Sequence, residues 1–514
     1  MELVLKFLGC AGAFIAATAV AVCYQLDVAK INLWLAMAVV LWLNPMRLSG
    51  RRLAISGVFA LILALVALII SAKVWNVWLF AGFIVVLWGI SEKDDYLNSH
   101  LLIYTAAFFN LSIISNTAYT NIQYDFASCF NYIEYILENN FMFWQENPLL
   151  TRPSYSTYHP ILHFFLAAGI IRIVQFFTIN TIAAVETAQV LFCSYMLWYY
   201  FIAARILRLL DIHSRAYLAG VAFIVFFPAY NAIAGFFNND CLLLPLQAGA
   251  VYYALCYYKD GGQKNLIYIW LFATAATLTK LSGVLVLPMV AAALGLRLWQ
   301  IRDKKTFYEL AVFGVCLLLG ISVWTIYQHF FLGVSAGFVP PQEHLSLKPY
   351  SLWQRFNPFG AIIYEKMFYN DFGINLWETM TKTALFGQWD FSLRGAGIMG
   401  MISILAVIYK LILIMTMGMI MYLLWSMRRN VYVWLALILI LSLLFGQIMF
   451  GLMHPYMCNQ DFRYVAILPL PVAMVWSLGL NNISCLGQKI SFVLFGGFAI
   501  LSAFVWWYVV SFGG

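Results

Sequence analysis

Residues 272–290 read FATAATLTKLSGVLVLPMV, a run in which the one charged residue is Lys280. A helix crossing about 30 Å of hydrocarbon needs roughly 20 mostly apolar residues. Apolar stretches close to that length flank the lysine, at about 265–279 and 281–298. A charge at the bilayer centre costs roughly 2.5–3.5 kcal/mol on insertion scales, so an intramembrane charge is a functional candidate by default. Lys280 therefore reads as the turn between two membrane helices, at the edge of the bilayer.

The same pattern extends outward through the chain. Upstream, apolar stretches lie at about 4–24, 29–45, 53–72, 75–91, 98–117, 160–178, 183–204, 216–236 and 240–257. Downstream they lie at about 308–330, 397–425, 432–453, 465–481 and 490–511. Because several are short or merge, about 12–16 transmembrane helices are expected. Of the 514 residues, 64% are hydrophobic and 10% charged, with a mean hydropathy of +0.86, whereas soluble domains run at about 25% charged. Disorder, a collagen, a soluble enzyme and a nucleic-acid module are excluded, and the fold class is an all-α polytopic membrane protein. The stretch from Leu3 to Tyr24, with Lys6 near its start, has some look of a signal peptide but reads better as the first span. The net charge of +8 does not point to nucleic acid, because Lys and Arg of membrane proteins gather in cytoplasmic loops.

That bias also orients the chain. Arg47/Arg51/Arg52, Arg205/Arg208/Arg215, Lys259/Lys264, Arg302/Lys304/Lys305 and Arg428/Arg429 are placed in the cytoplasm with the N-terminus. The loops 118–159 and 331–396, the turn at Asn238–Asp240 and the loop 454–464 then face out. One conflict follows: an odd number of crossings must separate 118–159 from Arg205, yet 160–178 and 183–204 look like two. Either 160–178 does not fully cross, or the cluster at 205–215 is an exception to the bias.

The nine cysteines (Cys10, Cys23, Cys129, Cys193, Cys241, Cys256, Cys316, Cys458 and Cys485) form no C-x-x-C pair and read as neither a zinc site nor a disulfide framework. Cys129 and Cys458 alone fall in outer loops, where a bridge between them has no further support. The first outer loop, YTNIQYDFASCFNYIEYILENNFMFWQENPLLTRPSYSTYHP (119–160), carries Phe126, Phe130, Ile133, Ile136 and Leu137 at helical spacing. That is the pattern of an amphipathic helix in the membrane interface, with Asp125 at its N-cap. The second is rich in Trp and Tyr, suited to an interfacial belt, and carries Glu343, His344, Glu365, Asp371, Glu378 and Asp390. Together they would roof a cavity. Among charged residues within or at the ends of spans, the functional candidates are Glu186, Asp240, Lys280 and Arg463, with Arg172 beside them.

Four pieces of this chain, in order, resemble the type C glycosyltransferases, in particular the bacterial branch related to the protein O-mannosyltransferases and the lipid A aminoarabinose transferase. They are Asp125 opening QYDFASCFNYIEYI; Tyr158-His159-Pro160-Ile161-Leu162; Asn238-Asn239-Asp240 followed by Thr279-Lys280-Leu281-Ser282-Gly283; and Asp461-Phe462-Arg463-Tyr464 with Pro469 and Pro471. Ile161 stands where that family has a second proline, and Asp125 is a lone acid followed by Phe126. The resemblance implies a catalytic membrane domain over 98–480, additional N-terminal helices in 1–97 and a C-terminal helix in 481–514. It also implies a bacterial inner membrane with the site facing outside.

The activity implied is transfer of a sugar from a polyprenyl-phosphate carrier to a glycan, lipid or protein acceptor, as in cell-envelope glycan synthesis, with inversion at the anomeric carbon. Asp125 is the implied general base and Asp240 the second catalytic carboxylate. Lys280, Arg463 and Tyr464 would bind the donor phosphate, and His159, Tyr158 and Asn239 the substrate. Each has a plainer alternative: helix capping for Asp125 and Asp240, snorkelling for Lys280, an ion pair with Asp461 for Arg463, and a backbone hydrogen bond at a helix start for His159. His454, His344 and Glu343 match no strong metal motif. Relatives differ in using a divalent metal ion, so no cofactor is assigned. The rival function is a flippase or transporter of a lipid-linked sugar, which predicts repeat symmetry and midplane charges; no internal repeat is visible, and the charges cluster at the rim.

Overall fold

The structure, a computed structural model, describes residues 126–142, 157–176, 181–335, 337–361, 373–387 and 396–512, with isolated positions between 99 and 110 and at 147 and 149. The spans expected at 4–24, 29–45, 53–72 and 75–91, with most of 98–117, lie outside the described residues. So do Asp125, Glu365, Asp371 and Asp390.

Among the described residues the secondary structure is helical, with a single isolated β-bridge between Ser346 and Tyr456. Along the chain the α-helices are α1 (Phe126–Glu138), α2 (Leu162–Gln175), α3 (Thr181–Arg208), α4 (Ser214–Val225), α5 (Pro228–Ile233), α6 (Asp240–Asp260) and α7 (Gln263–Thr279). They continue with α8 (Leu287–Ile301), α9 (Lys304–Tyr327), α10 (Leu352–Phe356), α11 (Leu376–Phe386), α12 (Ala396–Ser426), α13 (Val431–Met453), α14 (Pro469–Leu480) and α15 (Cys485–Phe512). Six segments among the described residues are long and apolar enough to cross a membrane: Asp240–Asp260, Leu281–Ile301, Lys304–Leu332, Gly400–Ser426, Val431–Met453 and Cys485–Ala503. The chain is a multi-pass membrane protein.

The most enclosed of these is α6, packed between α3, α7 and α8. Three other spans, α9, α12 and α13, leave long apolar side chains uncovered on their outer faces, among them Leu318, Met421 and Leu441. In water that surface would drive association; in a bilayer the lipid tails solvate it. Without a hydrophobic driving force between helices, close approach depends on small residues. The α4–α14 crossing shows this: a Cβ added at Gly220 would lie 2.2 Å from the Ser477 hydroxyl oxygen, and that hydroxyl donates to the Ala216 carbonyl on α4 at 3.2 Å.

Two expected spans are broken by proline. The stretch 216–236 forms α4 and then α5, which restarts at Pro228 in the N1 position, where the missing N–H has no helical partner to lose. The stretch 465–481 begins as a 3-10 turn, Phe462–Val465, and becomes helical at Pro469. The 14 residues of α2 reach only about 21 Å at 1.5 Å per residue, short of the hydrocarbon thickness. Of the two resolutions of the topology conflict, this length favours incomplete crossing by 160–178.

The helix expected from Phe126 onward is α1, but its apolar face meets protein rather than lipid alone. Tyr132, Ile133, Tyr135 and Ile136 are buried, and Tyr132 packs on Phe164 of α2 at 4.7 Å between centroids. Arg172 of α2 donates to the Leu137 carbonyl at 3.0 Å. A guanidinium there satisfies a terminal carbonyl and complements the negative end of the helix, which gives Arg172 a structural role. Cys129 and Cys458 are not joined by a disulfide.

Candidate active site

The segment from Phe227 to Asp240 was expected to end in a short outward-facing turn. The segment is buried within the protein throughout, with Asp240 only 1% exposed. Side chains from two other helices hold it in place. His163 of α2 bonds through Nε2 to the Phe237 carbonyl at 3.0 Å, and Gln189 of α3 donates to the Gly235 carbonyl at 2.9 Å. The Tyr199 and Tyr230 hydroxyls lie 2.9 Å apart, and that of Tyr230 donates to the Ala466 carbonyl at 2.8 Å. These bonds satisfy a buried irregular backbone that has no water to turn to. The Phe126 and Phe237 rings, 5.5 Å apart, bring the first residue of α1 against the lead-in to α6.

Asp240 is the first residue of α6, and the N-cap is Asn239. Capping is therefore not its role. The Asn238 side chain accepts the Asp240 N–H at 3.0 Å, and the Asp240 carboxylate turns to Lys280, with Oδ1 2.5 Å from Nζ. Both side chains are buried, and Oδ2 has no hydrogen-bond partner among the described residues. Asn239, expected to contact substrate, donates to the Thr279 carbonyl at 2.8 Å and so clamps the lysine turn to the start of α6. Gln247, two turns along α6, donates to the Ser282 carbonyl at 3.0 Å.

The local sequence explains this turn. Lys280 ends α7 in extended conformation, and the chain folds back as a 3-10 helix, Leu281–Val286. A Cβ at Gly283 would lie 2.5 Å from the carbonyl carbon of Ala276 and 2.7 Å from the Thr277 nitrogen. Only glycine lets the backbone pass that close, and this fold-back aims Lys280 inward rather than up to the interface. Snorkelling is thereby excluded: the side chain is buried at Asp240.

On the far side, Lys280 Nζ lies 4.5 Å from the centre of the Tyr464 ring, and Arg463 Cζ lies 5.6 Å from the same centre. One aromatic ring thus contacts both cations expected to hold phosphate. Arg463 also pairs with Asp461, Nε to Oδ2, at 3.5 Å, and Asp461 accepts the Arg463 N–H at 3.0 Å as the cap of the 3-10 turn. The Thr383 hydroxyl of α11 accepts the Phe462 N–H at 2.8 Å, fixing the turn to the bundle. Each of the two cations expected to hold phosphate is therefore matched with a carboxylate. A buried charge without a partner is strongly destabilising, so this pairing is what lets two acidic and two basic side chains sit inside the bundle.

A cavity of about 290 Å³ opens beside this array. Its wall is built from Tyr158, His159 and Pro160 ahead of α2; from Lys280 to Leu285 in the turn; from Gly337 to Val339 in the second outer loop; and from Gly446 to His454 at the end of α13, with Tyr464. Four of the expected site residues, Tyr158, His159, Lys280 and Tyr464, line it directly. Asp240 and Arg463 stand behind Lys280 and Tyr464. Every segment placed on the outer face contributes to the wall or to the residues bonded to it. Val284, Met449 and Met453 form an apolar wall that is also exposed on the outside of the molecule. His454 lines the cavity, and burial lowers its pKa below the ordinary 6.5. His344 and Glu343 are exposed, the latter pairing with Lys348 at 3.5 Å. Among the described residues no three His, Cys, Asp or Glu side chains are grouped to hold a metal ion.

Three contributors were not anticipated. His163 holds the approach to α6. Gln447 of α13 lines the cavity and donates to the Asn459 carbonyl at 2.8 Å. Gln328 donates to the Tyr158 carbonyl at 3.0 Å, positioning the segment ahead of α2. A signal existed for two of them: His163 and Gln447 are uncharged polar residues inside strongly apolar helices, and a search for charges alone passes over them. The side chain of Glu186 lies outside the described residues.

Searched against protein-family models and against curated proteins, the chain matches no family and no curated protein.

Proposed function

We propose that the chain is an integral-membrane glycosyltransferase of the type C class that takes its sugar from a polyprenyl-phosphate donor on the extracytoplasmic face. One observation supports this above the others. Residues from stretches more than 300 positions apart, Tyr158 and Tyr464 among them, meet around a cavity lined by Lys280 and by an apolar wall exposed on the outside of the molecule. A polyprenyl phosphate has that division, an anionic head on a hydrocarbon tail.

In this reading the acceptor oxygen attacks the anomeric carbon, the bond from that carbon to the phosphate oxygen breaks, and the polyprenyl phosphate leaves. The acceptor proton passes to Asp125, and a positioned carboxylate base contributes about 10²–10⁴-fold. Lys280 and Arg463 hold the departing phosphate, the arginine through a planar fork and the lysine as a point charge, in surroundings from which water is largely excluded. Since Lys280 already pairs with Asp240, the phosphate draws on a cation that a carboxylate has held in place. Asp240 orients the lysine, while Tyr158 and His159 line the approach.

The test is direct. Purified full-length protein is mixed with polyprenyl-phosphate sugar and candidate acceptors, and free polyprenyl phosphate is measured. Wild type releases it. Asp125→Asn stays folded and membrane-inserted but releases none. Full activity in that variant removes the base assignment, and translocation of the intact lipid without release by wild type makes the protein a transporter instead.

A further inference from the structure

At the other end of α8, a second cleft lies on the turn that leads into α9. It is lined by Trp299 of α8, by Arg302 and Asp303 in the turn, and by Lys304, Phe307 and Tyr308 of α9. The segment Leu281–Ile301 joins the two cavities. Its length of roughly 30 Å, at 1.5 Å per residue, puts the cleft at the opposite membrane surface.

Three features point to one kind of ligand. The first is charge: Arg302, Lys304 and Lys305 are exposed, and the one acid among them, Asp303, is engaged by the Thr306 N–H at 2.8 Å and the Thr306 hydroxyl at 2.5 Å. The second is aromatic surface. Trp299 is 70% and Tyr308 67% exposed, and the Arg302 guanidinium stacks 4.6 Å over the Trp299 ring while its Nε donates to the Trp299 carbonyl. That arrangement presents the guanidinium at the depth where amphipathic aromatic rings sit in a bilayer. The third is continuity. From Tyr308 an uncovered apolar stripe runs on along α9 through Val312, Val315, Leu319, Val323 and Ile326, at helical spacing. A head group held in the cleft would lay its acyl chains along that stripe.

We propose that this cleft is a binding site for an anionic phospholipid of the leaflet opposite the candidate active site, its phosphate taken by Arg302 and Lys304 and its tails laid on α9. The proposal is independent of the catalytic one. A membrane protein always has lipid at such a position; the charge selects which lipid.

Native mass spectrometry of the full-length protein in mild detergent, offered equal phosphatidylglycerol and phosphatidylcholine, reads the preference. Wild type retains phosphatidylglycerol over phosphatidylcholine, and the preference weakens as salt is raised. Lys304→Glu together with Lys305→Glu is the chosen variant, because acids in the first turn favour the helix dipole and so leave α9 formed while reversing the charge. Near an anionic surface each Lys or Arg contributes about 1 kcal/mol, roughly fivefold, so this variant loses the preference, with phosphatidylcholine retention unchanged. Arg302→Gln lowers phosphatidylglycerol retention by about fivefold. Equal retention of both lipids by wild type, or an undiminished preference in the charge-reversed protein, overturns the site. So does a dimer mass that the variants abolish, which would make a second copy of the chain the occupant.

Discussion

Asp240 and Lys280 form a buried pair, 2.5 Å apart, and its energetics decide how the site tolerates change. Removing one partner of such a pair leaves an uncompensated buried charge and costs about 3–5 kcal/mol, whereas replacing both is often close to neutral. Lys280→Met and Asp240→Asn are each expected to lower unfolding stability by about 3–5 kcal/mol, and the double variant to recover most of that loss while remaining unable to release polyprenyl phosphate. A denaturation series on the three proteins checks this; equal, additive losses would mean that the pair is not coupled. His454 supplies a second residue-scale expectation. Its pKa in the folded protein lies below 6.5 because burial disfavours the charged ring. The unfolded chain therefore takes up that proton first as pH falls. The contribution is intact above pH ~6.5 and is lost as the pH drops from there toward the folded value. Between pH 7.5 and 5.5 wild type should lose more thermal stability than His454→Gln, by melting in detergent.

At the scale of elements, the outcome turns on the buried segment ahead of α6. Its positions were legible as a membrane span and a polar turn, because apolar composition is a local property. That the turn lies inside was not, because the groups that make burial tolerable, His163, Gln189 and Tyr199, sit on other helices. Tyr230→Phe is expected to cost about 1–3 kcal/mol, since it leaves the Ala466 carbonyl without its donor and deprives Tyr199 of a partner. Thermal unfolding of that variant beside Tyr217→Phe is the measurement; an unchanged midpoint in Tyr230→Phe would show that water reaches the segment. The break at Pro228 and the start at Pro469 were visible as residues, yet reading them as helix starts needed the backbone. The amphipathic pattern of α1 was correctly read as a helix, but the pattern is the same whether the partner is lipid or α2.

Across the whole molecule, the two cavities lie at opposite ends of the helices that join them. In a cysteine-free background carrying Lys305→Cys or His344→Cys, both at exposed positions, a membrane-impermeant thiol reagent should label the two from opposite sides of sealed vesicles. The same sidedness for both would refute the topology. Labelling of His344→Cys from the extracytoplasmic side would place the candidate active site where the positive-inside bias puts it.

Lipid solvation, helical content and the order of the polar motifs were determined by the sequence alone, because apolar runs of membrane length have few alternatives once every backbone group must be satisfied within the bilayer. Only the tertiary structure decided the partners. For Arg463 the sequence already offered Asp461, two residues away, as an ion-pair partner; for Lys280 it offered a phosphate or the interface, and the side chain is held by Asp240, 40 residues away. Composition and spacing record which charges a chain carries, but the cost of burying one depends on what lies within a few ångströms, and that distance exists only after the helices have packed.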